Sequence, residues 1–354
     1  MFQNFTARKK TGPGGQRISA LGRLSAGILA LSLGLGACGA ERTQVQKPVE
    51  KGAKAKLDFI LDWTPNTNHT GLFVAAELGY YAEEGLEVDI KQPPEDSTSD
   101  LIINNKAPFG IYFQDSMAAK LSKGAPLVAV AAIVEHNTSG IVSSSSAGVQ
   151  EPRDLQGKRY GTWNDPVELG MLQSLMEGQK ADFSQLQLVP NTDSNSLTSI
   201  VNGLFDAAWI YQGWDGIMAQ QEKIPVNFFY LRDFSQDLDF YSPVIISNES
   251  YLKENPEQAR AFLRATKKGY IYAMEHPKEA ADILLKHAPE LAGKKDFVYA
   301  SQAYLSKAYS EKAETWGEID PERWNRFYRW LNSRQITAEP IADNQGFSND
   351  YLPR

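Results

Sequence analysis

From residue 57 onward, short apolar runs alternate with stretches whose apolar residues recur every three or four positions. Runs rich in Leu, Ile, Val and Phe predict strands at 57–61, 86–90, 109–112 and 127–134. Between them the helical period predicts helices at 71–84, 97–105 and 114–122. Gly85 stops the first, in the position where a left-handed residue closes a helix. Asp96 or Ser97 caps the second. After Ile141-Val142 the rhythm restarts, with strands at 159–162, 186–189, 207–211, 227–231 and 243–247 and helices at 165–177, 194–204 and 215–221. Helix 165–177 carries a strong start signal: Asp165 as N-cap, Pro166 at the first helical position and Glu168 at the third. The rest is helical, at 256–275, 277–286, 295–310 and 321–333. In the last helix Trp324, Phe327, Tyr328 and Leu331 share one face, which is a core stripe and not a cofactor box.

A strand–helix alternation that stops, restarts and then returns to helices predicts an α/β protein of two lobes. Each lobe has a central, mostly parallel sheet flanked by helices, and the chain crosses between lobes twice. Lobe I is expected to comprise 56–141 and 246–354, and lobe II 142–245, with hinge crossings near 140–142 and 241–244. Ligands of open α/β sheets bind outside the carboxyl ends of the strands, so the cleft between lobes is the expected site.

The first 55 residues follow neither pattern. Arg8, Lys9, Lys10, Arg17 and Arg23 make a basic leader without an acidic residue, and the apolar run 24–37 follows it. That run is too short for a permanent membrane span but suits the apolar region of a signal peptide. It ends in Leu35-Gly36-Ala37-Cys38, which resembles the bacterial lipobox. The resemblance implies that residues 1–37 are a lipoprotein signal peptide and that Cys38, the only cysteine in the chain, is lipidated. Residues 38–55, polar and Lys-rich, read as a tether. The protein is therefore expected to be exported and anchored to the membrane through Cys38, with two acyl chains for stable anchoring. Inner or outer membrane is left open.

Charge narrows the partners. The full chain carries −7, and loss of the leader's five Lys/Arg takes the remainder to −12. An acidic chain of that kind lacks the basic footprint that nucleic-acid binding needs. Four polar segments follow strands or open helices: 62–71, 136–140, 161–168 and 209–216. Trp63, Trp163, Trp209, Tyr211 and Trp214 offer flat apolar faces, and Asn66, Asn68, Asn137 and Asp215 offer directional partners. A planar heterocycle needs that combination, rings for stacking and a few polar groups for orientation. Asp215 can accept hydrogen bonds from a ring amino group and favour a protonated ring nitrogen. Other roles stay open: Thr64, Thr67 and Thr70 also suit turns, Asp165 and Asp215 also suit helix caps, and His69 and His136 also suit structural pairs. Trp209 lies inside an apolar strand and fits core packing as well as ligand contact.

The strings Trp-Thr-Pro-Asn-Thr-Asn-His-Thr-Gly (63–71), His-Asn-Thr-Ser-Gly (136–140) and Ala-Trp-Ile-Tyr-Gln-Gly-Trp-Asp-Gly (208–216) resemble the thiamine-pyrimidine family of periplasmic binding proteins. Leu-Gly-Tyr-Tyr-Ala-Glu-Glu-Gly-Leu (78–86) resembles a helix-to-strand junction that many importers share. The likeness spans about 57–331. It implies a type II binding-protein fold, an ABC permease and its ATPase as partners, and a thiamine pyrimidine precursor as ligand. On this sequence it points to Trp63, Asn66 and His69 in the first lobe and to Trp163, Tyr211, Trp214 and Asp215 in the second. Related proteins bind other flat rings, riboflavin among them, so the ring itself stays open. A sulfonate or nitrate is disfavoured, because the four segments hold no Arg or Lys. The superfamily also contains fungal pyrimidine synthases, which use a cysteine-rich motif and a lysine-bound pyridoxal phosphate. The sequence shows no such motif and no serine-elbow, zinc-ligand or P-loop pattern, so no enzyme activity, cofactor or metal is expected.

Overall fold

The structure, a computed structural model, describes residues 54–94, 97–191 and 195–353. The leader, most of the tether and Cys38 lie outside the described residues, as do Asp96 and Ser194. Among the described residues no helix is long and apolar enough to cross a membrane.

The alternating pattern builds the first lobe from β1 (Ala55–Ile60), α1 (Thr70–Glu77), α2 (Tyr80–Glu83), β2 (Leu86–Lys91), α3 (Thr98–Ile103), β3 (Phe109–Tyr112), α4 (Gln114–Leu121) and β4 (Leu127–Ala132). The helix expected over 71–84 is two helices, because Gly79 adopts a left-handed conformation (φ 79°) between them. The second lobe contains β5 (Ser139–Ser144), β6 (Arg159–Thr162), α5 (Pro166–Gly178), β7 (Gln187–Pro190), α6 (Ser196–Val201), β8 (Ala207–Tyr211), α7 (Ile217–Gln221) and β9 (Val226–Tyr230). Then β10 (Val244–Asn248) returns, followed by α8 (Glu249–Glu254), α9 (Pro256–Glu275), α10 (Pro277–His287), α11 (Lys295–Ala308) and α12 (Pro321–Ser333).

Two five-stranded sheets result, in the orders β2-β1-β3-β10-β4 and β7-β6-β8-β5-β9. In each, one strand contributed by a crossing runs antiparallel to both neighbours: β10 between β3 and β4, and β5 between β8 and β9. The remaining pairs, β1 with β2 and β3 and β6 with β7 and β8, are parallel. The sheets are therefore mostly parallel, with one inserted antiparallel strand each, and the architecture is the two-lobed type II fold. The crossings occupy 133–138 and 231–243, so the boundaries expected at 141/142 and 245/246 fall inside β5 and β10. The apolar pair Ile141-Val142 is the middle of a strand rather than a hinge, since both side chains are buried in the second sheet.

The stripe on α12 is core, with Trp324, Phe327, Tyr328 and Leu331 all buried. This helix, expected wholly within lobe I, touches both lobes. Gln114 Nε2 of α4 donates to the Trp324 carbonyl (3.0 Å), and Trp330 Nε1 donates to Ser174 Oγ of α5 (3.3 Å). Its aromatic residues run the length of the helix, with Trp324 near one end and Trp330 near the other, so its two ends reach different lobes.

Helices α1 and α9 cross at a point where only glycine fits. A Cβ on Gly269 would stand 2.0 Å from the Gly71 carbonyl, and one on Gly71 would stand 2.3 Å from the Tyr270 ring. Because the first obstacle is backbone, the helices must move apart to admit a methyl group. Gly269→Ala is expected to lower the unfolding free energy by about 1–3 kcal/mol, the usual cost of overpacking, measured by urea denaturation.

Candidate functional site

The first polar segment follows β1. Asn66 opens a single 3₁₀ turn, Thr67–His69, by accepting from Asn68 N (2.9 Å), and its own N–H is received by His69 Nδ1 (3.2 Å). Since a backbone N–H can only donate, Nδ1 is the acceptor and the ring proton sits on Nε2. Nε2–H then points to Asp62 Oδ1 at 2.6 Å. His69 is fully buried, and its role is to fix Asp62 and the turn rather than to form the wall. Asn66 lines the cleft, but its amide is spent on Thr64 O (3.1 Å) and Asn68 N. The Asn68 side chain faces the cleft with no protein partner among the described hydrogen bonds, while its carbonyl receives Tyr270 OH (2.7 Å).

The fourth segment, after β8, folds into one π-helical turn, Gln212–Gly216, ahead of α7. Its wide turn swings Trp214 toward the first lobe. There Trp214 meets Phe297 of α11 edge-on (4.6 Å, 76°) and Trp63 edge-on (6.4 Å, 82°). Gly213 permits the approach, because a Cβ there would stand 3.0 Å from Leu305. Ser301 Oγ of α11 donates to the Gly213 carbonyl (2.5 Å) and receives Thr67 Oγ1–H (2.6 Å), a hydroxyl relay from the first segment to the fourth. Tyr211 OH pairs with Ser242 Oγ at 3.0 Å.

In the third segment Asp165 caps α5 as expected, accepting from Val167 N (2.8 Å) and Glu168 N (3.2 Å). Glu168 does not complete a capping box. Its buried carboxylate accepts from Thr162 Oγ1 (2.7 Å), Tyr160 OH (3.1 Å) and Trp163 N (3.1 Å), and burial raises its pKa. This braces the loop that presents Trp163, which is 52% exposed.

The second segment holds the crossings together, and of its residues Thr138 lines the cleft. Asn137, read from the sequence as a ligand contact, is fully buried. Its amide donates to Leu238 O (2.8 Å) and its Oδ1 accepts from Ser139 N (2.8 Å). His136 Nδ1 lies 2.6 Å from Asp239 Oδ2, and Asn137 N donates to Asp239 Oδ1 (2.9 Å). Burial works to raise the Asp239 pKa, but the His136 hydrogen bond and the nearby Arg323 charge outweigh it and hold the group low.

These elements enclose a cavity of ≈ 430 Å³ between the lobes. Of the sequence candidates, Trp63, Asn66, Asn68, Trp163, Tyr211, Trp214 and Asp215 line it, whereas His69 and Asn137 stand behind the wall. Trp209, whose role the sequence left open between packing and ligand contact, lines it too, as do Phe113, Thr138, Ser196, Pro243 and Leu305, which were not among the candidates. Phe113 follows β3 and Ser196 opens α6, places where strand-end reasoning could have found them. Leu305 sits mid-helix and carries no local signal.

Among the described residues two carboxylates, Asp62 and Asp215, face the cavity, and none of the lining residues is Lys or Arg. Burial pushes the Asp215 pKa up to about 6, against the opposing pull of the Tyr211 N–H (3.4 Å). Asp115, in the first turn of α4 next to Phe113, is buried, with one oxygen unpartnered among the described residues. Burial, aided by the Asp165 charge, pushes its pKa up to about 7. The site thus offers aromatic planes and hydrogen-bond acceptors to a flat, neutral or weakly basic molecule, and would repel an anion.

Two mixed sheets joined by a double crossing around such a cleft make up the periplasmic-binding-protein fold. More particularly, the chain belongs to the NMT1/THI5-like family, whose profile matches residues 66–280. It is 30% identical to a formylaminopyrimidine-binding protein of Halalkalibacterium halodurans, over 83% of this chain and 89% of that one. It is 25% identical to a 4-amino-5-hydroxymethyl-2-methylpyrimidine phosphate synthase of Legionella pneumophila, over 85% and 93% of the two chains. In structure it resembles the ligand-binding component of an ABC-type import system from Staphylococcus aureus, with a TM-score of 0.62, 14% identity and coverage of 84% and 98%.

Asp115 and Asp215 bind their protons more tightly folded than unfolded. The stability they contribute is therefore complete below about pH 4 and lost as pH rises through about 6 and 7. Asp115→Asn is expected to raise the thermal midpoint relative to wild type at pH 8 and to leave it unchanged near pH 3, by scanning calorimetry.

Proposed function

We propose that this protein is the exported, lipid-anchored binding component of an ABC importer. It captures a thiamine pyrimidine precursor, formylaminopyrimidine or hydroxymethylpyrimidine, and delivers it to a permease and its ATPase. The observation that carries this reading is the cavity wall: Trp63, Trp163, Trp209, Tyr211 and Trp214 around Asp215, with no Lys or Arg on it. An aminopyrimidine has a π face for those rings and an amino group for the carboxylate. The likeness to a formylaminopyrimidine-binding protein supports the same ligand class.

Both lobes contribute wall residues, Trp63 and Asn68 from the first and Trp163, Tyr211 and Asp215 from the second. Ligand contacts from both sides exist only when the cleft is shut, so binding drives closure about the crossings. The permease reads the closed form, and the Cys38 anchor keeps the protein at the membrane.

A second reading, a pyrimidine synthase, is favoured by the likeness to named synthases. A lysine-bound pyridoxal phosphate would need a lysine on the wall, and the lining residues include none. Incubation with pyridoxal phosphate is expected to give no absorbing lysine adduct; a stable adduct would favour the synthase. For the binding reading, calorimetric titration with formylaminopyrimidine, hydroxymethylpyrimidine, thiamine and riboflavin is expected to rank the two precursors first. Riboflavin binding more tightly than either would move the assignment to a flavin importer. Trp214→Ala and Asp215→Ala are each expected to cost about 1–3 kcal/mol of binding, and unchanged affinity in both would remove the ligand from this cleft.

A further inference from the structure

The chain has seven tryptophans, and four of them are buried: Trp209, Trp316, Trp324 and Trp330. Three of the four satisfy the indole N–H inside the protein. Trp316 donates to Ile133 O (3.2 Å), Trp324 to Gln345 O (2.8 Å) and Trp330 to Ser174 Oγ (3.3 Å). Trp209 is the exception. It is 8% exposed, and its buried Nε1 has no hydrogen-bond partner among the described residues. It is also the one of the four that lines the cavity.

A buried donor without a partner costs stability, and native proteins rarely carry one unless it serves a further purpose. The fold offers the other three buried indoles an acceptor, so the unpartnered N–H at Trp209 does not reflect a general looseness in how this chain packs tryptophan. The ring lies on β8 between Trp163 (6.1 Å, 61°) and Tyr211 (6.1 Å, 33°). Trp163, which meets the ring edge-on, is itself 52% exposed and lines the cavity.

Resting on the ligand reading above, we propose that the Trp209 indole N–H is the specificity-determining donor of the cavity, bonding to an acceptor nitrogen or carbonyl on the edge of the flat ring. Asp215, four residues after the following Tyr211, supplies the complementary acceptor. Donor and acceptor together select a ring that carries an amino group beside a ring nitrogen, and they discriminate against a benzene ring of the same outline. A site built to satisfy a buried polar group rejects the analogue that leaves it unpaired.

The test compares Trp209→Phe, which keeps an aromatic ring and loses the N–H, with Trp316→Phe, which breaks a satisfied bond elsewhere. Wild type is expected to bind hydroxymethylpyrimidine at least tenfold more tightly than its benzene-ring analogue, and Trp209→Phe is expected to lose that preference. Without ligand, Trp209→Phe is expected to lower the thermal midpoint less than Trp316→Phe. In wild type, the Trp209 indole ¹H–¹⁵N resonance, assigned by its disappearance in Trp209→Phe, is expected to move downfield on saturation with hydroxymethylpyrimidine. An unchanged preference in Trp209→Phe, or an unmoved resonance at saturation, would overturn the assignment. The stability comparison needs no ligand: a midpoint lowered as far as in Trp316→Phe makes Trp209 a packing residue. That readout judges Trp209 even if wild type binds none of these rings, a result that would sink the ligand reading itself.

Discussion

One half-buried carboxylate fastens the two crossings of this protein together. Asp239, in the second crossing, accepts from the imidazole of His136 and the backbone N–H of Asn137, both in the first. The Asn137 amide adds a bond to Leu238 O, and Arg323 of α12 lies beside the same carboxylate (3.6 Å). Two crossings fastened side by side leave the lobes few ways to move except rotation about the fastened segment. Everything the cleft does depends on that constraint, because its walls come from different sheets and meet only at one angle.

At that angle the hydroxyl relay from Thr67 through Ser301 to the Gly213 carbonyl brings the first polar turn to the π-helical turn of the second lobe. Trp214 packs across the gap, and the remaining rings stand around it. A cavity with this much exposed aromatic surface is unfavourable in water, and filling it with a flat apolar face returns that cost as affinity. The buried polar atoms on its wall are the second part of the same design. The raised pKa of Asp215 and the unpartnered N–H of Trp209 are both costs that, in the proposed reading, a complementary ligand edge relieves.

The sequence showed the alternation of strands and helices because period two and period 3.6 are local properties. It also showed most of the wall, because Trp63, Trp163, Tyr211 and Trp214 sit where strands end. Its failures share one cause. Asn137 and His136 look like a binding motif, but their partners lie about a hundred residues further on, where no local pattern reveals them. His69 likewise reads as a ligand contact until its two nitrogens are seen bonded to Asp62 and Asn66. The break at Gly79 was hidden because flanking apolar residues keep the helical period through it. Whether Trp209 packs or binds depends on the atom beside its Nε1, which sequence alone does not give.

The central claim is that a flat heterocycle is held between the two lobes by indole and phenol planes, with its polar edge on Asp215. A crystal structure of the protein saturated with hydroxymethylpyrimidine tests it most directly. The account predicts the ring inside the cleft, stacked on at least one wall indole, with its amino group within hydrogen-bond distance of the Asp215 carboxylate. A ring bound elsewhere on the surface, with the cleft filled only by water, would contradict it.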